Sequence, residues 1–283
     1  MPNEVRNDRA APTEAHGAAS IATRSLRLSY RPGRVIVDDL DLNLPTGAVT
    51  AVIGANGSGK STVLRALSRL LRPEAGQVLL DGADLHRMRT KEVATRLGLL
   101  PQSPLCPEGV TVRDLVRRGR TPHTSVWRQW SADDEAALNA ALAATELAEL
   151  ADEQVDALSG GQRQRAWLAL VIAQGTPLLL LDEPTTFLDI AHQIDVLELI
   201  RRLNRTEGRT VVMVLHDLNQ ASRFADHVVA LRDGAVVAAG APSDVVTEDV
   251  VRTVFDLDAR VVSNPVTGTP LVVPVGRTRT ART

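Results

Sequence analysis

Gly54-Ala55-Asn56-Gly57-Ser58-Gly59-Lys60-Ser61-Thr62 carries the G-x-x-x-x-G-K-[ST] spacing. A turn that aims several backbone N–H groups at one anion needs positions without side chains, which Gly54, Gly57 and Gly59 supply. The helix that follows adds its positive end, so the expected ligand is a polyphosphate. Lys60 would give a point charge to the β and γ phosphates, and Ser61 a hydroxyl to Mg²⁺. The alternative is a glycine-rich turn with a solvated lysine. The apolar strand pattern before the loop, 49–53, and the helical pattern after it, 63–67, favour phosphate binding.

A second stretch, Leu178-Leu179-Leu180-Leu181-Asp182-Glu183-Pro184, is a buried strand that ends in two adjacent carboxylates. Ligands of open α/β sheets bind at that edge. Side chains alternate along a strand, so one carboxylate is expected to hold Mg²⁺ and the next to reach an attacking water. His216 closes another apolar strand, 210–215, at the same edge. In Leu158-Ser159-Gly160-Gly161-Gln162, Ser159 can cap a helix while the glycine pair leaves its amides bare. That is either a second anion site or a flexible entry to an amphipathic helix. Tyr30, the one tyrosine of the chain, either stacks on a purine base or covers a sheet edge.

Holding these groups requires a mostly parallel sheet. Alternating patterns predict strands over 22–30 and 35–44, an antiparallel pair around a Pro32-Gly33 turn. The helix after the glycine loop should run to about Leu71, ahead of Pro73, and a strand over 77–80 should turn at Asp81-Gly82. A helix over 91–97 feeds a strand over 98–100 that ends at Pro101-Gln102. Between 103 and 157 the period is helical. One helix covers 111–118, and another, capped by Ser131, places Ala136, Ala137, Ala140, Ala141 and Ala144 on one face. Ile190, Ile194, Leu197, Ile200 and Leu203 trace a further helix face that stops at Gly208. A hairpin turning at Asp233-Gly234, a helix over 247–255 and strands over 259–262 and 271–275 complete the pattern.

The 283 residues suffice for a sizeable core, and 32 basic against 34 acidic residues leave no concentrated basic face for nucleic acid. A single cysteine, Cys106, excludes an internal disulfide framework and fits a reducing compartment. No apolar run reaches bilayer length, so the chain is expected to be soluble. Residues 1–19 lack the apolar centre of a secretory signal and are expected to form a disordered leader, as 277–283 form a tail.

Taken together, these residues resemble the nucleotide-binding cassette of ABC transporters over about residues 20–258. The resemblance implies a P-loop α/β core with a mostly parallel sheet, an antiparallel β subdomain and a helical insertion at about 103–157. A small C-terminal β extension, 259–276, would follow. It assigns Tyr30 to adenine stacking, Gly54 to Thr62 to the Walker A loop, and Gln102 to sensing Mg²⁺ and the membrane partner. It likewise assigns Leu158 to Gln162 to the signature, Asp182 to Mg²⁺, Glu183 to catalysis, Leu188-Asp189 to the D-loop and His216 to the switch. Phe187 departs from the small residue many cassettes place there.

The run Pro184 to Gln193, with Gly119-Arg120-Thr121-Pro122-His123 and Arg128-Gln129-Trp130, is similar to the subgroup that powers import of iron-siderophore complexes. Haem and cobalamin importers stand close by. The implied assembly is a head-to-tail homodimer that traps ATP and Mg²⁺, docked on separate permease subunits at the cytoplasmic face of the membrane. A substrate-binding lipoprotein would be an indirect partner. The alternatives are an ABC ATPase of DNA maintenance or the ribosome, or an exporter subunit. About 100 residues without sustained heptads separate Walker A from the signature, and one cassette is present, which argues against the first.

Overall fold

The computed structural model describes residues 19–31, 33–104, 107–124, 130–186 and 188–277. In chain order the first half holds β1 (Ile21–Arg31), β2 (Arg34–Leu44), β3 (Val49–Gly54), α1 (Lys60–Leu67), β4 (Ala75–Leu80), β5 (Ala83–Asp84), α2 (Thr90–Arg96) and β6 (Leu97–Leu100). Then come α3 (Val112–Arg117), α4 (Ala132–Ala144), α5 (Gly160–Ala173), β7 (Leu178–Asp182), α6 (Ile190–Glu207), β8 (Thr210–Val214) and α7 (Leu218–Phe224). The chain ends with β9 (His227–Arg232), β10 (Ala235–Gly240), α8 (Pro242–Val245), α9 (Glu248–Phe255), β11 (Leu257–Ser263) and β12 (Pro270–Arg277). The leader up to residue 18, Pro32, Cys106, Arg128, Gln129, Phe187 and the tail from 278 lie outside the described residues.

The central sheet runs β10-β9-β3-β8-β7-β6, parallel throughout except for the β9–β10 hairpin. β3, β7 and β8 are buried along their whole length, which is why they are continuous apolar runs. Successive side chains feed opposite faces. Ala51, Leu179, Leu181, Val211 and Met213 pack under α5 and α6, while Val52, Leu178, Leu180, Val212 and Val214 pack with α1 and the second sheet. That second sheet, β2-β1-β4-β5, is antiparallel. The α/β architecture is therefore the expected one.

The insertion between β6 and α5 packs α3 and α4 against α5. Arg120, in the 3₁₀ turn Arg118–His123, pairs with Asp134 at 2.9 Å and donates to the Ala173 carbonyl at the end of α5. His123 Nε2 meets the Gln174 carbonyl at 2.7 Å, and the Gln174 amide donates to Ala94 O at 2.6 Å. The Gly119-to-His123 stretch thus fastens the insertion to the end of α5 and, through Gln174, to the C-terminal end of α2.

Four local expectations differ. α1 stops at Leu67 rather than near Leu71, because Arg69 takes a left-handed φ of 64° and the amides of Leu70 and Leu71 turn back to Arg65 O. No glycine marks that stop. In α4 the buried stripe is Leu138, Ala141 and Leu142 with Asp134, leaving Ala136 and Ala140 exposed. Larger side chains and a charged tether outcompete alanine for the core side. Ile190 opens α6 but is 78% exposed, so the apolar face begins one turn later. β12 continues through Arg277, where the tail was expected to start, because Arg277 pairs with Leu257.

Candidate nucleotide-binding and hydrolysis site

The site follows from register. Leu100 pairs with Leu181, Asp182 with Val214 and Val52 with Val214, so Gln102, Glu183, His216 and Gly54 all lie just past the same sheet edge. Gly54 has a φ of 156°, and a Cβ there would come within 2.3 Å of the Leu231 carbonyl and 2.5 Å of Ser58 Oγ. At Gly59, the N-cap of α1, φ is 99°. These two positions bring the loop down onto the sheet and turn it into the helix, which no side-chain-bearing residue does without strain.

Lys60 Nζ donates to Gly54 O at 2.9 Å and Ala55 O at 3.0 Å, closing the loop around its own amine. Burial pulls that amine below its ordinary pKa, against the opposing fields of Glu183 and Asp182. Ser58 Oγ is buried with no partner among the described residues, and α1 has neither a side-chain cap nor an acidic residue in its first turn. An orphaned hydroxyl and a bare helix N-terminus around a buried lysine fit a polyphosphate. Asn56 and Gly57 form the exposed lip of the loop.

Ser61 Oγ lies 3.2 Å from Asp182 Oδ1. Burial raises the Asp182 pKa, only partly offset by the Ser61 hydroxyl. A hydroxyl beside a carboxylate whose charge is costly to bury suits a hard divalent cation such as Mg²⁺. Glu183, one residue on, leaves the strand with φ 53°. Its separation from Asp182 thus comes from a left-handed turn and not only from strand alternation. Glu183 accepts from Gln102 Nε2 at 2.7 Å, His216 Nε2 at 2.6 Å and Thr186 Oγ1 at 3.0 Å. Burial pushes its pKa up, but these donors outweigh it and hold the carboxyl below the ordinary glutamate range. Gln102 is thereby engaged with Glu183 rather than with Ser61, although it lines the same cleft of about 450 Å³ as Asp182 and Tyr30.

Tyr30 is half exposed, with its ring beside α1. Its phenol oxygen accepts from Thr62 Oγ1 at 3.4 Å and Arg65 at 3.2 Å, and the Arg65 guanidinium sits 5.9 Å from the ring centroid. Ser159 caps α5 in a capping box, receiving the Gln162 amide while Gln162 Oε1 accepts from the Ser159 amide. Arg163 braces this entry by donating to Val155 O, Asp156 O and Leu158 O. Asp189 caps α6 through the His192 amide at 2.9 Å.

The structure therefore gathers the glycine loop, Asp182, Glu183, Gln102 and His216 into one place. Among the described residues no hydrogen bond joins Ser159 to Gln162, or Asp189, to that loop. Sequence reasoning missed Thr186, Arg65 and Arg163. Thr186 carried a faint signal, a hydroxyl three residues beyond a carboxylate in a turn. Arg65 and Arg163 carried none.

A phosphate cradle on a parallel sheet, with two carboxylates delivered by β7, the next strand but one from β3, defines a P-loop nucleoside triphosphatase. Within that class, the chain belongs to the ABC transporter family, whose model matches residues 37–186. The achromobactin transport ATP-binding protein CbrD of Dickeya dadantii is 53% identical over 258 residues, covering 91% of this chain and 96% of that protein. The ferric enterobactin transport ATP-binding protein FepC of Escherichia coli is 53% identical over 243 residues, 86% of this chain and 90% of its own length. Among solved structures, the dimeric ATP-binding cassette MJ0796 in a post-hydrolysis state with ADP and Pi superposes with a TM-score of 0.69 at 28% identity. It covers 78% of this chain and 98% of its own.

Proposed function

We propose that this chain hydrolyses ATP to power import of ferric siderophore complexes through separate permease subunits. The observation that carries the ATPase reading is the arrangement around Glu183: a buried, ionised carboxylate held by Gln102 and His216 beside the Ser61–Asp182 pair. Lys60 and the loop amides stabilise phosphate charge, while Ser61 and Asp182 hold Mg²⁺ with Gln102 close by. When bound, that ion neutralises charge on the phosphates. Glu183 orients and polarises the attacking water, and His216 fixes Glu183. Tyr30 offers its open ring to the adenine. The choice of ferric siderophores over other cargo is supported by the names of the relatives.

A phosphoryl-transfer site acts mainly by positioning and charge. Here one side of the nucleotide is covered by the chain's own loop. The Ser159-to-Gln162 end of α5 serves a second copy, head to tail, so two nucleotides glue a homodimer. Ile190, an exposed isoleucine beside Asp189, is an apolar contact left for that copy. Among the described residues no helix is long and apolar enough to cross a membrane, and the similar proteins named above are ATP-binding proteins of transport systems, which supports separate permease subunits. The chain would sit on them at the cytoplasmic membrane face, with a substrate-binding lipoprotein across the bilayer.

The surface of the helical stretch around Gln102 to Arg118 is the candidate permease contact, because Gln102 links it to Glu183. Arg113 already pairs with Glu135 and Asp152, and Arg117 stacks on Trp130 at 4.5 Å, so reversing their charge would disturb the insertion as well as a partner. The deciding experiment is ATP turnover by the chain reconstituted with its permease and binding protein, comparing ferric siderophores, haem and cobalamin. Stimulation by cobalamin alone would replace the siderophore reading, and no turnover with Mg²⁺ and ATP would end the ATPase reading.

A further inference from the structure

His192 and Gln193 follow the D-loop on the first turn of α6, and no role in binding or chemistry has been given to them above. Their side chains contact different elements. The His192 ring is held by its Nδ1–H, which donates to Asp189 Oδ1 at 2.7 Å, and its edge lies against the signature glycine. A Cβ on Gly161 would sit 3.3 Å from His192 Cδ2 and 3.4 Å from Cγ, so the imidazole fills the space a side chain would take. Gln193 donates to Leu188 O at 3.0 Å and accepts from Gln220 Nε2 at 2.6 Å. Gln220 belongs to the first turn of α7, which Asp217 caps directly after His216. His216 in turn bonds Glu183. One turn of α6 therefore touches the signature end of α5 on one side and, on the other, the helix that begins just after His216. A second strut runs parallel to it, from Gln164 on α5 to Pro184 O, next to Glu183.

We infer that His192 and Gln193 are positioning residues that couple the two nucleotide pockets of the dimer. Within one subunit they connect Glu183 and His216, which serve its own nucleotide, to Gly161, which serves its partner's. This inference rests on the head-to-tail dimer proposed above. When a γ-phosphate shifts His216, α7 moves Gln220. Gln220 carries Gln193 with it, and the rigid imidazole on the same helical turn presses on Gly161. Packed elements of this kind transmit small displacements because they are not freely deformable.

The test uses the full-length chain in the Glu183→Gln background, where ATP is held without turnover. ATP-driven dimerisation is followed by size-exclusion chromatography with light scattering, and ATP binding per monomer by a fluorescent nucleotide. Glu183→Gln alone should dimerise. Adding His192→Ala should raise the ATP concentration for half-dimerisation about tenfold, within the usual range of coupling between sites. Binding per monomer and thermal unfolding should stay unchanged, since the Asp189 cap still receives the residue 192 amide. His192→Asn, whose amide can donate to Asp189, should restore most of the effect. Gln193→Leu should weaken dimerisation too, and combined with His192→Ala it should cost no more than the larger single change. If Glu183→Gln dimerises and adding His192→Ala changes nothing, the coupling inference is overturned while the dimer reading stands. If Glu183→Gln stays monomeric, the dimer reading fails and this inference goes with it.

Discussion

Glu183 Oε1 and His216 Nε2 lie 2.6 Å apart, across the ends of two neighbouring parallel strands. The contact spans 33 positions of sequence and exists because Asp182 is in register with Val214. It makes His216 a donor to a buried carboxylate rather than a solvated strand terminus.

Replacing Glu183 by Gln keeps the shape and most of the donors while removing the charge that polarises water. Steady-state ATP turnover should fall on the order of 10²–10³, the usual loss for a group acting on developing charge. Nucleotide binding should persist. Equal turnover in variant and parent would remove Glu183 from the mechanism.

The same residue sets an acid limb. Its folded-state pKa is depressed, so its ionised form contributes stability above the unfolded value and loses it as pH falls through the folded value. The gap in thermal midpoint between the parent and Glu183→Gln should therefore narrow on acidification to below the ordinary glutamate range. Differential scanning fluorimetry across that range measures it, and a gap independent of pH contradicts an ionised, hydrogen-bonded Glu183.

Asp182 has the opposite sign. Its folded-state pKa is raised, so stability present below the unfolded value is lost as pH rises through the folded value. Without a divalent ion, Asp182→Asn should be at least as stable as the parent at neutral pH. With ATP present, added Mg²⁺ should raise the midpoint of the parent and leave that of Asp182→Asn nearly unmoved. Equal Mg²⁺ shifts in both proteins would displace Asp182 from the ion.

Tyr30 separates its two readings by substitution. Tyr30→Phe loses only the contacts of the phenol oxygen with Thr62 and Arg65. It should retain nucleotide affinity, whereas Tyr30→Ala should weaken it by about 1–3 kcal/mol, the usual worth of a base stacked on an aromatic ring. Isothermal titration with ATP distinguishes them. If Ala and Phe bind alike, the ring only covers the sheet edge.

Arg120 and Asp134 make the prediction for stability. Asp134 is fully buried and Arg120 nearly so. Breaking such a pair from one side leaves an uncompensated charge, so Arg120→Met should cost about 3–5 kcal/mol in chemical unfolding. Replacing both, Arg120→Met with Asp134→Leu, should cost distinctly less. A loss under 1 kcal/mol for the single change would show the pair to be solvated.

The sequence by itself determined the local chemistry. Spacing alone placed the glycine loop between a strand and a helix, put Asp182 and Glu183 at a strand end, and made Ser159 and Ser131 helix caps. These features depend on backbone geometry within a few residues, so periodicity and side-chain type are enough to find them. The stop of α1 at Leu67 was not legible because a non-glycine residue, Arg69, takes the left-handed turn. The alanine face of α4 misled because burial is decided by what packs opposite, here α5 and the Arg120 tether.

Only tertiary structure decided which distant residues meet. Strand order and register bring Gln102, Glu183 and His216 to one point, since shifting a parallel pair by one residue would turn each side chain to the other face. Likewise the contact of His192 with Gly161 depends on how α6 lies beside α5. Packing of whole elements fixes that angle, and no run of neighbouring residues encodes it.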